Sequence, residues 1–428
     1  MKLSRIGSLL LSVLIVLSLV ACESGQIRSA QADEGAVTID FWTSWESESS
    51  NNAIIEKIID DYNHSQDEVM VNHIAFPKGK IWTQNTVSIA TGSPADVIIN
   101  DMQSVAYRAK HNQVTDISKY ITDEYKEMFY PHLWEVVESE KKTYAIPFIT
   151  NTNVLLYNKA AFEEIGLDPN SPPSTWKELE EYATQLDRKQ GEQYESIGFH
   201  PLWGGLGAIS WMINADDGQA FIQDGKLNIY TEKKVEGLLW LKKWRDKYGA
   251  NPVDKLSIDF MENHSNPFLA EKVAMWVDNG TLYSSIRDEG TSFDIGVAPI
   301  PAYNDSTENW STGEGLVVEI PRGAKYPDEA MDFIKYLTSA EVQKYWAIQS
   351  FDIVANKVGA EAALAEFNEK DAEVYSFMLE NLAVTKIFPT PIEYPGYQKK
   401  VNLMIDHVMI NNLSSEQALN RAEEMVKN

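Results

Sequence analysis

The sequence VTIDFWT (Val37–Thr43) opens a run of five elements that indicates the fold class. It alternates in polarity and is rich in β-branched and aromatic residues, which is typical of a β-strand. Apolar residues recur at helical spacing in Asn52–Asn63, and Val69–Phe76 is strand-like again. A second helix is predicted over Trp82–Ala90 and a short buried strand over Ala95–Asn100. This strand–helix–strand–helix–strand order predicts an α/β domain with a largely parallel sheet.

The chain is too long for one hydrophobic core. About 390 residues follow Ala36, which predicts two domains at roughly 150 residues each. Hydrophobic residues make up 44% of the chain and aromatic residues 11%, so this part is expected to be globular. A second block begins near Tyr144, with predicted strands Tyr144–Ile149, Asn153–Asn158, Lys272–Val277, Phe293–Pro299 and Gly315–Ile320, and predicted helices from Ser174 or Thr175, over Val235–Tyr248 and over Pro327–Leu337.

The N-terminus has the pattern of an export signal. Two basic residues precede the uncharged run Ile6–Ala21 (IGSLLLSVLIVLSLVA), which ends in small residues. The sequence Leu19-Val20-Ala21-Cys22 resembles the bacterial lipobox, in which the cysteine is acylated and becomes the first residue of the mature chain. We predict a signal peptide over 1–21 and a lipid-anchored linker over 22–36, which tether the protein to the outer face of the cell membrane. An uncleaved anchor is the alternative, because the run is near the lower length limit of a spanning helix.

Charge and cysteine content exclude several classes of partner. The formal net charge of −26 becomes −28 once Lys2 and Arg5 leave with the signal peptide. A chain this acidic is not expected to bind nucleic acid, since phosphates are neutralised by Lys and Arg. It is also not expected to dock on anionic lipid through its surface charge. Cys22 is the only cysteine, which excludes an internal disulfide and a thiolate metal site.

The common catalytic motifs are absent from the sequence. There is no GxxxxGK[ST], no GxGxxG after a strand, no HExxH, no EF-hand loop and no GxSxG. The seven histidines are scattered without ligand spacing, and most acidic pairs fall on predicted helix faces. We therefore predict no catalytic residue, no metal and no cofactor, which favours a protein that is not an enzyme.

Tryptophan is the positive signal. Several of the twelve tryptophans fall at strand ends or in loops rather than on helical faces. Indole faces stack on the apolar faces of pyranose rings, while carboxylates accept hydrogen bonds from sugar hydroxyls. Asp101 follows the third strand, at the carboxyl edge where open α/β sheets bind ligands. Loop tryptophans with a carboxylate close by are Trp45 with Glu46, Trp276 with Asp278, and Trp310 with Glu314.

With these segments in place, the chain resembles the extracellular solute-binding proteins of bacterial ABC sugar importers over nearly its whole mature length. Each shared motif is loose, but their order together with the lipobox is specific. The motifs are Ile39–Thr43 (IDFWT), Ala90–Val97 (ATGSPADV), Tyr144–Pro147 (YAIP), Leu156–Lys159 (LYNK), Pro172–Trp176 (PPSTW), Ala274–Trp276 (AMW), Gly313–Val318 (GEGLVV) and Ala330–Leu337 (AMDFIKYL).

The resemblance implies a two-lobed, periplasmic-binding-protein-like α/β fold with a hinge and a ligand cleft between the lobes. Each lobe would be built from two separate stretches of chain. The implied division is 37–148 plus 292–341 for lobe 1 and 149–291 plus 342–428 for lobe 2, with hinge crossings near Pro147–Thr150, Ser292 and Ala340.

The resemblance also implies a monomeric receptor that captures an oligosaccharide or a monosaccharide derivative and delivers it to the permease subunits of an ABC transporter. Two alternatives stay open. A secreted carbohydrate-active enzyme would need two facing carboxylates, for example from Asp101, Asp278 or Glu314. A receptor for another solute, such as a cation, is permitted by the acidic charge. The implied sugar contacts are Trp45, Glu46, Asp101, Trp203, Trp276, Asp278, Trp310 and Glu314.

Overall fold

The structure is a computed structural model that describes residues 35–428 except 78, 192, 224, 250–265, 292 and 412. The predicted signal peptide, Cys22 and the linker up to residue 34 lie outside the described residues. The two main sheets are built from β1 (Val37–Thr43), β2 (Val69–Ala75), β3 (Val97–Asp101), β4 (Ala145–Thr150), β5 (Asn153–Asn158), β6 (Met275–Asn279), β7 (Ile295–Ala298), β8 (Gly315–Glu319) and β9 (Ile353–Val354).

The larger sheet has the strand order β9–β4–β8–β3–β1–β2. β1 pairs in parallel with β2 and with β3, as the sequence predicts. The pairs β3–β8, β8–β4 and β4–β9 are antiparallel. The prediction of a largely parallel sheet is therefore correct for the first three strands and wrong for the rest. The reason is that β8 and β9 come from the C-terminal part of the chain and enter the sheet against its direction.

The smaller sheet has the order β6–β5–β7, with both outer strands antiparallel to β5. β4 and β5 are buried along their whole length, which fits their near-continuous apolar sequences. Four short two-stranded sheets complete the strands of the described chain: Glu138–Ser139 with Lys142–Thr143, Arg188–Gln190 with Gln193–Ser196, Ile222–Gln223 with Lys226–Leu227, and Ser311–Thr312 with Thr385–Lys386.

Helices cover the faces of the sheets. The described helices are α1 (Ser50–Ser65), α2 (Ile81–Thr91), α3 (Val105–Lys110), α4 (Asp123–Lys126), α5 (Pro131–Val137), α6 (Lys159–Glu164), α7 (Trp176–Leu186), α8 (Gly207–Ala215), α9 (Glu232–Tyr248), α10 (Leu282–Glu289), α11 (Pro327–Leu337), α12 (Ala340–Ser350), α13 (Lys357–Leu364), α14 (Glu369–Asn381), α15 (Tyr397–Asn411) and α16 (Ser415–Lys427), with 3-10 turns at Ser118–Tyr120 and Leu382–Val384.

Local sequence signals set several helix ends. Thr175 caps α7 by accepting a hydrogen bond from the Glu178 amide, and the Glu178 carboxylate accepts one from the Ser174 amide at 2.8 Å. This reciprocal arrangement is a capping box at the predicted helix start. α2 ends at Gly92, whose φ of 78° is left-handed, a conformation that glycine adopts at little cost.

Strand pairing corrects the predicted division of the chain at two places. β6 and β7 both pair with β5, so residues 295–298 belong to the smaller sheet and not to the larger one, and the predicted crossing at Ser292 lies outside the described residues. β9 pairs with β4 of the larger sheet, so the crossing predicted at Ala340 lies too early. The smaller sheet thus keeps residues 295–298, and the larger sheet keeps residues 353–354.

Three chain segments connect the two sheets, and a cluster of buried polar side chains holds these segments together. The Thr152 hydroxyl lies 2.6 Å from the Thr385 hydroxyl and accepts a hydrogen bond from the Asn381 amide at 2.7 Å. It also contacts Ser311 at 3.2 Å. All four side chains are buried. Since buried polar groups are costly without partners, this mutual satisfaction fixes where the segments cross.

Candidate functional site

The two sheets turn specific edges toward each other. In the larger sheet Asp101, the last residue of β3, is level with Leu316 in β8, which is level with Ile149 in β4. β4 then leads through residues 151–152 directly into β5. In the smaller sheet Asp278 is level with Val154, the second residue of β5. The carboxyl ends of β3 and β6 therefore lie on the two sides of the crossing segments, which places the sequence-predicted Asp101 and Asp278 at the strand ends near this junction.

Asp101 is held rigidly at its edge. The Arg108 guanidinium contacts the Asp101 carboxylate at 3.0 Å and donates to the Asp101 carbonyl at 2.6 Å. The Ser104 amide donates to the second carboxylate oxygen at 3.0 Å. On its other side Arg108 binds the buried carboxylate of Glu319 in β8 at 2.6 Å. Asp101 is thus an oriented acceptor that is still 27% exposed.

Glu319 has an unusual environment. Its side chain is 2% exposed, and burial raises the pKa of the Glu319 carboxyl, an effect that the Arg108 charge opposes. The sequence analysis did not select Arg108 or Glu319. The spacing of Arg108 seven residues after Asp101, across the start of α3, is the signal that could have identified it.

On the facing edge, the end of β6 is packed against a glycine-rich loop. The Trp276 indole donates to the Asp278 carboxylate at 2.9 Å. A Cβ atom on Gly204, whose φ is +88°, would lie 2.2 Å from the Val277 carbonyl oxygen, and one on Gly205 would lie 2.4 Å from the Asp278 carboxylate. The Gly204 clash would be with backbone, so this position requires glycine, whereas at Gly205 the Asp278 side chain would have to move. The contact brings Trp203 next to the predicted pair Trp276 and Asp278.

Trp203 is half-buried and stacks on His200, with ring centroids 5.3 Å apart. His200 is 4% exposed, and its Nδ1 accepts a hydrogen bond from the Leu202 amide. Nε2 has no hydrogen-bond partner among the described residues. Burial, reinforced by the positive charge of Arg245, lowers the pKa of His200 to about 3. The loop that presents Trp203 therefore rests on a neutral imidazole.

The remaining predicted residues divide between surface and core. Glu46 and Glu314 are exposed, and the Glu314 backbone is bonded to Asn151 at the crossing. Trp45 is 7% exposed and packs against Phe148 and Trp346. Trp310 is 6% exposed, beside Phe388. In this structure the faces of Trp45 and Trp310 are covered by protein, so neither offers an open stacking surface.

Exposure sorts the tryptophans sharply. Ten of the twelve are buried, Trp203 is half-buried and Trp82 is 48% exposed. Trp82 lies in the first turn of α2, which follows β2. The sequence analysis did not include it among the contacts, although its place just after a parallel strand was the available signal.

Two cavities lie away from this junction. One of about 520 Å³ is lined by β7 and α14 and includes Tyr157 and Lys370. Another of about 360 Å³ lies by α4 and α5 and includes Trp134. Neither contains a predicted contact residue. The described residues hold no group of three His, Cys, Asp or Glu side chains that could bind a metal ion. As far as residues 35–428 are described, no helix combines the length and apolarity of a membrane span.

A two-sheet architecture with facing carboxyl edges around crossing segments is that of a two-lobed binding protein. The family model of the bacterial extracellular solute-binding proteins matches residues 46–344, more than half of the chain. The chain therefore belongs to this family.

Individual relatives agree with this membership. The chain is 24% identical over 382 residues to the multiple sugar-binding protein of Streptococcus mutans, covering 83% of each chain. It is 26% identical over 276 residues to the maltotriose-binding protein of Pyrococcus abyssi, covering 61% of this chain and 55% of that one. The structure of CpMnBP1 with mannotriose bound superposes with a TM-score of 0.77 at 22% identity, covering 91% of this chain and 100% of that one. The last likeness establishes the fold, and the predicted two-lobed fold and family are thus confirmed.

The Arg108 bridge yields a stability prediction. Arg108→Met leaves the buried Glu319 carboxylate without its cation and should lower the free energy of unfolding by about 3–5 kcal/mol, measured by urea denaturation. The exposed ion pair of Arg188 with Glu164 provides a matched control. Arg188→Met should change the free energy of unfolding by less than about 0.5 kcal/mol. The double variant with Glu319→Leu should recover much of the loss. Equal effects of Arg108→Met and Arg188→Met would contradict the bridge.

The buried His200 yields a pH prediction. Its pKa is lower in the folded state than its ordinary value of 6.5, so the unfolded chain binds more protons between pH 6.5 and about 3. Stability present above pH 6.5 is therefore lost as the pH falls. Between pH 7.5 and 5 the unfolding free energy should fall by about 2 kcal/mol more in the unaltered protein than in His200→Gln. Parallel pH curves for the two proteins would show that His200 is not the titrating group.

Proposed function

We propose that this protein is the substrate-binding lipoprotein of an ABC transporter, which captures a carbohydrate between its lobes and delivers it to a membrane permease. The observation that carries the proposal is the junction of the two sheet edges. It presents two oriented carboxylates, Asp101 and Asp278, together with a partly open indole at Trp203. Carboxylates accept from sugar hydroxyls and an indole covers the apolar ring face, which are the two features a sugar site combines.

The relatives support the same ligand class. The names of two of them specify sugars, and the structural neighbour contains mannotriose. These three proteins match different shares of this chain, but each name specifies a saccharide ligand. We propose that the ligand here is likewise a saccharide, bound without any change to its bonds.

Glycoside hydrolysis is the alternative function for two carboxylates at one junction, and it requires a proton donor and a nucleophile or base. Asp101 accepts from Arg108 and Ser104, and Asp278 accepts from Trp276 and the Asn279 amide. Both are therefore engaged as acceptors by fixed donors, which supports a binding role. Incubation with oligosaccharides should release no new reducing ends, and their appearance would favour the enzyme.

Binding would be coupled to closure of the lobes. The crossing segments, such as residues 151–152 between β4 and β5, connect the two sheets, so rotation there would bring the Trp203 loop toward Asp101. The closed form would then be recognised by the permease. Acylation of Cys22 would keep the receptor on the extracytoplasmic face near that permease and raise its effective concentration there. One acyl chain binds weakly, so a second chain would be needed for lasting attachment.

The sugar assignment predicts a measurable affinity loss. A thermal-shift screen should first identify saccharides that raise the melting temperature of the mature protein, since a ligand of the folded state stabilises it. Trp203→Ala should then weaken binding of the best saccharide by about 1–3 kcal/mol in isothermal titration calorimetry, because it removes an accessible stacking surface. Trp203→Phe should lose less.

Tyr230 offers a matched control, because it is 38% exposed and lies by α16, away from the junction. Tyr230→Ala should leave the affinity unchanged. A screen in which amino acids, polyamines or other solutes stabilise the protein and saccharides do not would contradict the carbohydrate assignment, and unaltered affinity in Trp203→Ala would remove Trp203 from the site.

The lipid anchor has its own test. Cys22→Ala should abolish labelling with radioactive fatty acid and move the protein from the membrane fraction to the medium or periplasm, because no thiol remains to be acylated. Sugar affinity should not change, since Cys22 lies before the described fold. Membrane retention and labelling equal to those of the unaltered protein would contradict the proposal.

A further inference from the structure

Trp82 carries the most exposed indole of the protein. It is 48% exposed in the first turn of α2. The residues that anchor α2 to the sheet are Ile81, Asn85 and Ser88, which are all buried. Trp82 is therefore not needed for packing this helix. A single exposed aromatic side chain is common on protein surfaces, so the meaning of Trp82 depends on where it lies in the fold.

The register places Trp82 on the same edge as the proposed site. Phe41 of β1 is level with Val97 of β3, so continuing the strands by four residues brings Trp45 level with Asp101. Thr43 is level with Ala75 of β2, and two further residues beyond the ends of both strands would bring Trp45 level with Pro77. The turn that follows is closed by the bond from the Lys80 amide to the Pro77 carbonyl, and α2 starts at the next residue. The first turn of α2 thus lies at the carboxyl edge.

The strand order then arranges the edge residues in a row. From the crossing outward the strands are β8, β3, β1 and β2, and the groups at this edge are Glu314, Asp101, Glu46 and Trp82 respectively. Neighbouring strands are about 4.8 Å apart, so the three intervals span roughly 14 Å. A row of this length exceeds one sugar ring. Its outer end carries an exposed aromatic group, whereas its inner part carries carboxylates.

A second aromatic residue extends the surface at that outer end. Phe76 directly follows β2 and is half-buried, with its ring 4.6 Å from that of Trp42. Trp42 itself is 7% exposed and belongs to the small apolar cluster with Ile81 under α2. The outer end of the edge therefore has a fixed aromatic base, with Trp82 and Phe76 as its accessible members.

We propose that Trp82 forms an outer subsite that stacks on the distal unit of a linear oligosaccharide, a trisaccharide or longer, whose inner units lie at Asp101 and Trp203. The inference rests on the proposed carbohydrate function and names the substrate class within it. Short sugars held at the inner carboxylates would not reach Trp82. Affinity contributed by Trp82 therefore depends on ligand length.

The test compares ladders of mannose and maltose oligomers from the monosaccharide to the pentasaccharide, by isothermal titration calorimetry on the mature protein. Trp82→Ala should weaken binding of the trisaccharide and longer members by about tenfold and leave mono- and disaccharide affinities unchanged. Trp82→Phe should restore most of the loss. Val87→Ala is the matched control, because Val87 is 49% exposed on the same helix but lies more than one turn further from the edge, and it should have no effect.

The outcomes separate the two proposals. If the unaltered protein binds no member of either ladder and no other saccharide in the thermal-shift screen, the carbohydrate function and the subsite both fall. If the unaltered protein binds, but Trp82→Ala changes no affinity or changes all lengths equally, the outer subsite is overturned while the carbohydrate function stands. A transport defect in Trp82→Ala with normal affinities would likewise overturn the subsite and assign this surface to the permease.

Discussion

The relation between the two sheets depends on the crossing of two chain segments at Asn151 and Glu314. The Asn151 amide donates to the Glu314 carbonyl at 2.9 Å, and the Glu314 amide donates to the Asn151 side chain at 2.8 Å. A Cβ atom on Gly313 would lie 2.1 Å from the Asn151 carbonyl oxygen, so this close contact requires glycine. Asp101 and Asp278 are each only a few residues from this contact in strand register, since Asp101 is level with Leu316 and Asp278 with Val154.

The two carboxylates at the junction are held by different means, which matters in so acidic a chain. Asp101 is paired with the buried guanidinium of Arg108, which Glu319 orients from behind. Asp278 is held by neutral donors, the Trp276 indole and the Asn279 amide. Fixed donors orient the lone pairs of both groups before a ligand arrives. Preorganisation of this kind favours hydroxyl recognition, since no side chain has to be ordered on binding.

The sequence predicted elements whose signals are local. β1 was predicted as Val37–Thr43 and α11 as Pro327–Leu337, and both have these bounds, because strand alternation, a proline in the first turn and helical periodicity are read within one segment. The crossings were predicted less well. Whether residues 295–298 join one sheet or the other depends on pairing with Asn158–Leu155, more than a hundred residues away, and no local pattern encodes that choice.

The same limit explains the tryptophans. Trp45 and Trp310 were selected because they lie in loops, yet both are covered by distant aromatic residues, whereas Trp82 is open. Loop position therefore does not predict which indole is exposed in the folded chain. An indole that protein already covers has little surface left to remove from water, so its burial free energy belongs to folding. Only surface that is accessible before binding can contribute burial free energy to the affinity. Exposure in the folded chain is therefore a better criterion for a stacking residue than position in a loop.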